Sequence, residues 1–308
     1  MISRSTLLGA LVVLELAIVG VAAKAVAGGN APAAGFMGPG FPHAGMIHGA
    51  TGRTAFDRSF TTGPAPHVVI DVRDIPVTVV AGSAASVRVV ETVVKFGYVD
   101  GEEPIAAQQT PDGVRISAPS SDVKVVGAYD PTVRISVPPN ARVELTSGGG
   151  MDATGLRQKL VAHLAEGSVE IRDHRGDVDV STGSGSVRLV DVEADEIAAG
   201  TRDGRIYLTR IGAQRINASS ASGRIVGADV RAIDGALTTR DGRIILSFTR
   251  NSDATVKAHT ADGKIRVAGF PVTRSDEQNS VVRLGSGRGT FELSTENGPI
   301  VITQGASV

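Results

Sequence analysis

A column of cations is the arrangement in this sequence that could recognise a ligand. Glycine turns recur about every 19 residues, and cations flank several of them: Arg205, Arg224, Arg243 and Lys264 directly follow a turn glycine, and Arg202 and Arg240 precede one. If the turns stack, neighbouring cations lie about 5 Å apart. That spacing suits an anionic polymer or lipid headgroups. The alternative is a self-neutralised edge, because Asp203, Asp241 and Asp262 stand beside the cations.

Other groups that could do chemistry are less well organised. Copper(I) ligands occur in a Gly/Pro-rich stretch that nothing holds rigid: Met37, His43, Met46 and His48. An acidic group occurs in one repeat only, which indicates a solvated turn rather than a calcium site: Asp191, Glu193, Asp195 and Glu196. No Ser/His/Asp arrangement is recognisable. Among the histidines, His163 and His259 have outward parity, and His174 is expected in a charged turn. We therefore expect no catalytic residue, no metal site and no cofactor.

The composition excludes several classes of protein. The 308-residue chain has no cysteine, which excludes disulfides, thiol chemistry and cysteine-ligated metals. With a formal net charge of −1, the bulk charge of the chain implies no polyanion partner, and no nucleic-acid partner is expected. Aromatic residues make up 4% of the chain and tryptophan is absent, so stacking against sugars is disfavoured.

The cations belong to a repeat that six glycines mark: Gly185, Gly204, Gly223, Gly242, Gly263 and Gly298. A hydroxyl stands three residues before each glycine: Thr182, Thr201, Ser220, Thr239, Thr260 and Thr295. Apolar residues alternate between the turns, which predicts strands with one buried face. The Asp-Gly, Ser-Gly and Asn-Gly pairs predict turns in which glycine adopts a positive φ.

Two all-β architectures fit this repeat, an antiparallel meander and a β-solenoid. The same residue type at the same offset in successive units favours a single-stranded β-solenoid of about 19 residues per coil, in which like side chains stack on like. The hydroxyl column has the parity of the buried face. We expect it to form hydrogen bonds along the stack, close to the turn.

The chain divides into four predicted segments. Residues 1–27 contain an apolar run from Leu7 to Ala23, which indicates a signal peptide or a single membrane anchor formed by a hydrophobic helix. Residues 28–66 are predicted to be a disordered Gly/Pro/Ala-rich tether. Residues 67–145 are predicted to form a β-meander cap. Residues 146–303 are predicted to form the solenoid, with an irregular insertion at 270–289.

The strand and turn motifs resemble the bacterial putative-adhesin family, exported β-strand-repeat proteins that carry a domain of unknown function. Four stretches carry the resemblance: Val133–Leu145 with the glycine turn after it, Ser184–Leu189, Asp203–Leu208 and Phe291–Ile302. Pro299 departs from the family, which usually has a polar residue there, and so does the long tether. The resemblance covers roughly residues 55–303. It implies a β-solenoid outside the cytoplasm, often behind a membrane helix, and implies no catalytic residues.

Together these features predict a non-catalytic protein of the cell envelope with a structural or adhesin-like binding role. The alternative is an accessory domain of an envelope-stress or signalling system that binds a membrane protein. The expected partner is an anionic envelope polymer or a membrane protein, and the membrane itself if the N-terminal segment is not cleaved. A polysaccharide-acting enzyme is disfavoured, because coils this short leave little room for loops that carry catalytic carboxylates.

Overall fold

The structure, a computed structural model, describes residues 51–82, 85–118 and 123–305. Their regular structure is entirely β, and no helix in these ranges could cross a membrane. The predicted signal or anchor at 1–27 and the first part of the tether, 28–50, lie outside the described residues. The strands are β1 (Thr51–Thr61), β2 (His67–Val72), β3 (Val77–Ala81), β4 (Ser86–Asp100), β5 (Ala106–Thr110), β6 (Gly113–Ser117), β7 (Lys124–Val137), β8 (Arg142–Ser147), β9 (Met151–Thr154), β10 (Leu160–Leu164), β11 (Val169–Arg175), β12 (Val178–Thr182), β13 (Val187–Thr201), β14 (Ile206–Ser220), β15 (Ile225–Thr239), β16 (Ile244–Phe248), β17 (Ala254–Asp262), β18 (Ile265–Ala268), β19 (Val272–Ser275), β20 (Asn279–Arg283), β21 (Gly289–Asn297) and β22 (Ile300–Gln304).

The strands wind into coils that stack in parallel. Val187 pairs with Ile206, and Ile206 pairs with Ile225, so that equivalent residues of β13, β14 and β15 form columns. Arg210 contacts Asp191, 19 residues earlier in the chain, along the same register. This parallel pairing decides between the two predicted architectures, because a meander would pair successive strands antiparallel. The chain forms a β-solenoid.

Two parallel ladders build the stack, and the long strands β13, β14 and β15 contribute to both. One ladder runs in the order β6, β2, β8, β10, β12, the C-terminal halves of β13, β14 and β15, β21 and β17. The other runs β7, β3, β9, β11, the N-terminal halves of β13, β14 and β15, β16, β22 and β18. Inward aliphatic side chains from both ladders form one core, in which Phe248 and Phe291 meet edge to face at 5.4 Å.

The coils do not stack in chain order at the C-terminal end. β21 pairs with β15 on one side and β17 on the other, and β22 likewise lies between β16 and β18. The coil of residues 289–304 therefore occupies a slot between the coil that ends at Phe248 and the coil that begins at Ala254. The prediction that coils stack in sequence order, with the Gly263 turn directly after the Gly242 turn, is wrong at this end.

The N-terminal end contains the same kind of exchange. β2 lies between β6 and β8, and β3 lies between β7 and β9, all in parallel. Residues 67–81 therefore form an internal coil of the stack, and the predicted meander cap over 67–145 is wrong for these strands. At this end of the stack, antiparallel pairing is confined to the added strands: β5 joins β6, and β4 joins β7. The added strands cover part of the open edge that a parallel stack would expose.

Strands also form in two segments for which none were predicted. β1 lies within the predicted tether and pairs antiparallel with β4, and it places Phe56 and Phe60 against the core. The predicted irregular insertion at 270–289 contains the hairpin β19–β20, and β20 adds antiparallel to β17. Alternating Phe and polar residues in β1 are enough to form a strand once β4 supplies a pairing edge.

The turn glycines serve a different purpose from the predicted one. Of the six, only Gly298 has a positive φ, 157°, at the limit of extended backbone. A Cβ at Gly204, Gly223 or Gly242 would overlap the carbonyl oxygen of the glycine in the preceding turn of the stack. Glycine is required because successive turns approach too closely for any side chain.

The hydroxyl column is buried and bonds along the stack, as predicted. Thr201, Ser220 and Thr239 each donate to the carbonyl oxygen of the turn glycine one coil before, at 2.9–3.1 Å. The Ser220 hydroxyl also accepts a hydrogen bond from Gly223 of its own turn at 2.8 Å. Each hydroxyl thus gives a hydrogen bond to the turn carbonyl of the preceding coil and joins the two coils.

Candidate functional site

The predicted cation column lies on the turn side of the stack. The carbonyl oxygens of Arg205, Arg224 and Arg243 accept hydrogen bonds from Val187, Ile206 and Ile225, the residues that open the second ladder in the coil before each. These contacts fix the three arginines on successive coils. Arg202 and Arg240 flank the first and third of these turns, and Ala221 separates them in the stack. We call these five arginines the basic edge.

Lys264 does not continue the basic edge. The Ile244 amide donates to the carbonyl of Pro299, and the Ile300 amide donates to the carbonyl of Lys264. Pro299 therefore occupies the coil between Arg243 and Lys264, and Glu296 lies in the same turn as Pro299. The exchanged C-terminal coil interrupts the predicted column with an uncharged and an acidic residue.

The basic edge carries an excess of positive charge. Residues 202–205, 221–224 and 240–243 hold five arginines against two aspartates, Asp203 and Asp241. Each aspartate accepts a hydrogen bond from the equivalent residue of the next turn, Asp203 from Ser222 at 3.2 Å and Asp241 from Asn297 at 2.6 Å. All the arginines are exposed except Arg224, which is half-buried. Two carboxylates are fewer than five guanidinium groups, and this excess favours an anionic ligand over a self-neutralised edge; both interpretations stay predictions.

The geometry of the basic edge suits an extended anion. Arginine carries a planar fork of donors that matches phosphate and carboxylate oxygens. Coil spacing sets about 4.8 Å between successive arginines. A row of guanidinium groups at this spacing, exposed at each position except Arg224, can contact the repeated charges of a polymer that lies along the stack.

With this fold described, the chain can be compared with known proteins. A protein-family model for Toastrack DUF4097 matches residues 67–303. The chain belongs to the Toastrack DUF4097 family. No curated protein matches it significantly.

Solved structures similar to this Toastrack chain include two named as putative adhesins. One, from Bacteroides fragilis NCTC 9343, is 14% identical with a TM-score of 0.49, and the match covers 81% of this chain and 96% of the other. The second, from Parabacteroides merdae ATCC 43184, is 14% identical with a TM-score of 0.48 and covers 84% of this chain and 97% of the other.

The acidic group of this Toastrack chain is dispersed by the fold. Asp191 forms a bidentate ion pair with Arg210, at 2.5 and 2.6 Å, and Asp195 accepts from Gln214 at 3.0 Å. Glu193 reaches Arg231, two coils away, at 3.0 Å. The described residues contain no group of acidic or histidine side chains that could hold a metal ion. The copper(I) candidates between Met37 and His48 lie outside the described residues.

A groove that the sequence did not indicate lies beside the β19–β20 hairpin. Its volume is about 540 Å³, and its lining includes Lys257, His259, Arg274, Asn279 and Glu292. His259 Nδ1 and Asn279 Oδ1 are 2.9 Å apart, and Lys257 lies 4.0 Å from Glu292. The polar groups of the groove thus satisfy one another across it. Only the antiparallel pairing of β20 with β17 creates this groove, and no repeat signal marks that pairing.

His174 is buried, although its charged neighbours predicted a turn. It is 1% exposed and pairs with Val192, at the end of an inward column that continues through Ile211 and Val230. Burial lowers the pKa of His174, and the backbone of Asp177 and Gly176 opposes this shift only in part. Neither ring nitrogen has a hydrogen-bond partner among the described residues. An imidazole in this position is a neutral packing group and is not placed to act on a substrate.

Proposed function

We propose that this protein is a non-catalytic binding module of the cell envelope that holds an anionic polymer along its basic edge. The proposal rests on one observation, the excess of arginines over carboxylates on three successive turns. The parallel register presents these arginines as a straight row on a rigid stack. The backbone of the stack is already ordered, so binding a long repetitive ligand costs the conformational entropy of the arginine side chains but not that of the backbone.

The arrangement of the other polar groups supports a binding role rather than catalysis. His163 is hydrogen-bonded to Ser181 at 2.8 Å, and His259 is held by Asn279, both on the outer face of the first ladder. In the dispersed acidic group the carboxylates of Asp191, Glu193 and Asp195 are engaged with Arg210, Arg231 and Gln214, respectively. The His163–Ser181 pair has the residue types of a base and a nucleophile, but no carboxylate among the described residues orients the imidazole as the third group that activation requires.

The proposed location is outside the cytoplasm, with the β-solenoid tethered to a membrane or released from it. The apolar run from Leu7 to Ala23 supports this location from sequence. In that compartment the available polyanions are phosphodiester and uronate polymers of the envelope. We take a polyphosphodiester as the first ligand to test, because arginine pairs with phosphate through two parallel hydrogen bonds.

The experiment is a binding titration of the full chain, in detergent micelles, against a glycerol-phosphate polymer, a polyuronate and double-stranded DNA. The test variant carries Arg205→Ser, Arg224→Ser and Arg243→Ser. The control variant removes the same charge elsewhere, at Arg115, Arg134 and Arg157, which are exposed and lie outside the basic edge.

We expect the wild type and the control to bind an envelope polymer with an affinity that falls as salt rises, since the interaction releases counterions. We expect the basic-edge variant to lose most of this binding. An equal loss of binding in both variants would show that binding depends on net charge and not on the basic edge. Absence of binding by all three proteins would remove the proposed ligand and favour a membrane-protein partner.

A further inference from the structure

A two-stranded ribbon extends from the N-terminal end of the stack. Beyond the parallel pairing of β7 with β3, residues 124–132 of β7 continue in antiparallel register with residues 92–100 of β4. β1 covers the other side of β4 only as far as Lys95, opposite Thr51. From Phe96 to Asp100, therefore, β4 has a single partner strand among the described residues.

One face of this ribbon is apolar and exposed. Val94, Phe96 and Tyr98 alternate along β4 and are 42%, 39% and 64% exposed. Val126, which pairs with Tyr98, is 73% exposed. Of seven large apolar side chains exposed among the described residues, five lie on this ribbon. Such clustering marks an interaction surface, whereas scattered apolar residues do not.

Next to the stack the opposite face of the ribbon is covered, whereas Val125, farther along that face, is 41% exposed. Glu91 is buried and accepts a hydrogen bond from the Ile105 amide at 3.0 Å. Lys95 pairs with Glu102 at 2.9 Å, and Arg53 also contacts Glu102. The segment after β4 thus folds back over this side and leaves the face of Phe96 and Tyr98 open.

The position of the ribbon indicates which partner it meets. The described chain starts at Thr51, on the strand beside this ribbon, and Gly52 pairs with Val94 of the open face. Residues 28–50 separate Thr51 from the predicted signal or anchor segment. If that segment is in a membrane, the attachment keeps the chain at the surface of the bilayer. Apolar side chains that bind lipid weakly on their own are then present at the bilayer at a high effective concentration.

The chemistry of the face fits the interfacial zone of a bilayer. Tyrosine, phenylalanine and valine combine apolar bodies with one phenolic hydroxyl, and tyrosine is enriched where lipid meets water. Unpaired backbone groups along the edges of the ribbon exclude insertion into the hydrocarbon core. A ribbon of this kind can lie flat at headgroup depth.

We propose that the face formed by Val94, Phe96, Tyr98 and Val126 docks on the lipid bilayer to which the N-terminal segment attaches the chain. This inference rests on the membrane attachment included in the proposed function. Docking here would fix the orientation of the solenoid relative to the membrane.

The test uses the absence of tryptophan from the chain. Tyr98→Trp in the full chain introduces a single fluorophore on the face, and Thr238→Trp introduces one at an exposed position on the first ladder as the matched control. Each protein is reconstituted with zwitterionic phosphatidylcholine vesicles, with and without brominated acyl chains, and is separated by flotation.

We expect the chain to float and the indole emission of the Tyr98→Trp protein to shift to the blue. Brominated lipid should remove about half of that emission, as for an indole in the interfacial belt, and leave the emission of the Thr238→Trp protein unchanged. Phe96→Ser with Val126→Thr, added to Tyr98→Trp, should abolish the quenching. High salt should not abolish the quenching, because the contact is apolar.

Four outcomes would overturn the proposal. Flotation of the Tyr98→Trp protein without quenching of its indole would support the membrane attachment but contradict docking by this face. Failure to float would remove the attachment and the docking together. Quenching that high salt abolishes would indicate adsorption by charge. A vesicle-independent blue shift that rises with protein concentration would assign the face to a second copy of the chain.

Discussion

The hydroxyl of Thr295 donates to the carbonyl oxygen of Gly242, 53 residues earlier in the chain, at 3.0 Å. In sequence order the next hydroxyl after the Gly242 turn is Thr260, yet Thr260 donates to Gly298 at 2.9 Å. The same type of hydrogen bond therefore joins the coils in the order 242, 298, 263. The side chains of the repeat follow the spatial order of the coils and not their order in the chain.

The exchanged order predicts which engineered cysteines can form a disulfide. Thr238 pairs with Ser294, and Ser294 pairs with His259, on the outer side of one ladder. Thr238→Cys with Ser294→Cys should oxidise readily, because adjacent parallel strands place Cα atoms about 4.8 Å apart. Thr238→Cys with His259→Cys should not, since two coil steps exceed the reach of a disulfide. Non-reducing electrophoresis and peptide mapping of this cysteine-free chain read the result, and the opposite pattern would restore chain order.

Close stacking of the turns predicts that even one methyl group is costly at a turn glycine. Gly242→Ala should lower the free energy of unfolding by about 1–3 kcal/mol, the usual cost of overpacking, and Gly242→Val should cost more. The control is Gly200→Ala, whose Cβ would lie 3.7 Å from its nearest neighbour, Ser181. Urea titrations compare the three variants. Equal stability of Gly242→Ala and Gly200→Ala would contradict the close-approach explanation.

The hydroxyl column predicts a difference between two substitutions at Thr239. This residue is 1% exposed and donates to the Gly223 carbonyl at 2.9 Å. Thr239→Val keeps the shape and leaves the carbonyl unsatisfied, which should cost about 1–3 kcal/mol of stability. Thr239→Ser should retain the hydrogen bond, since Ser220 occupies the equivalent position. Thermal unfolding distinguishes the variants, and similar losses for Val and Ser would instead assign the effect to packing.

Burial of His174 predicts a pH dependence of stability. Its pKa in the folded state is lowered, so as pH falls below the unfolded value of about 6.5 the unfolded chain takes up a proton first. Its stability contribution is complete above that pH and is lost as pH falls toward the folded pKa. His174→Val should raise stability at neutral pH and flatten this part of the profile, because the column already contains Val192 and Val230.

The control for His174 is Ile211, which lies in the same inward column and is 2% exposed. Ile211→Val removes no titratable group, so it should lower stability by a similar amount at each pH and leave the shape of the profile as it is in the wild type. Urea midpoints at pH 7.5, 6.5 and 5.5 provide the comparison. A profile that His174→Val does not change would assign the acid sensitivity to other groups.

The repeat was sufficient to predict the type of coil but not the order of coils. A strand, a buried hydroxyl and a glycine turn recur at fixed offsets, so parallel stacking and the hydroxyl ladder follow from the sequence. Gly263 and Gly298 carry equivalent patterns, however, and each could stack on Gly242. The choice depends on long-range pairing of β21 with both β15 and β17, which no local pattern encodes.

His174 was misplaced for a geometric reason. Asp173 has a φ of 48°, and this left-handed residue makes a corner that breaks the alternation of the strand. Ile171 and His174, three positions apart, therefore both face the core. The same corner recurs at Asp191, Arg210 and Asp229. Aspartate tolerates this conformation better than most residues, and Arg210 is held in it by its two contacts with Asp191. A simple period-2 pattern cannot place residues beyond such a corner.

The interleaved ends impose an order of assembly on the stack. When the chain emerges N-terminus first, residues 254–268 lack their native neighbouring coil until residues 289–304 arrive between them and Phe248. The slot stays unfilled while the hairpin β19–β20 forms. Filling it joins segments about 50 residues apart in the chain, and such long-range contacts form slowly. The stack can therefore be completed only when the chain is present through Gln304. A chain that is cut within β17–β20 lacks the coil that fills the slot.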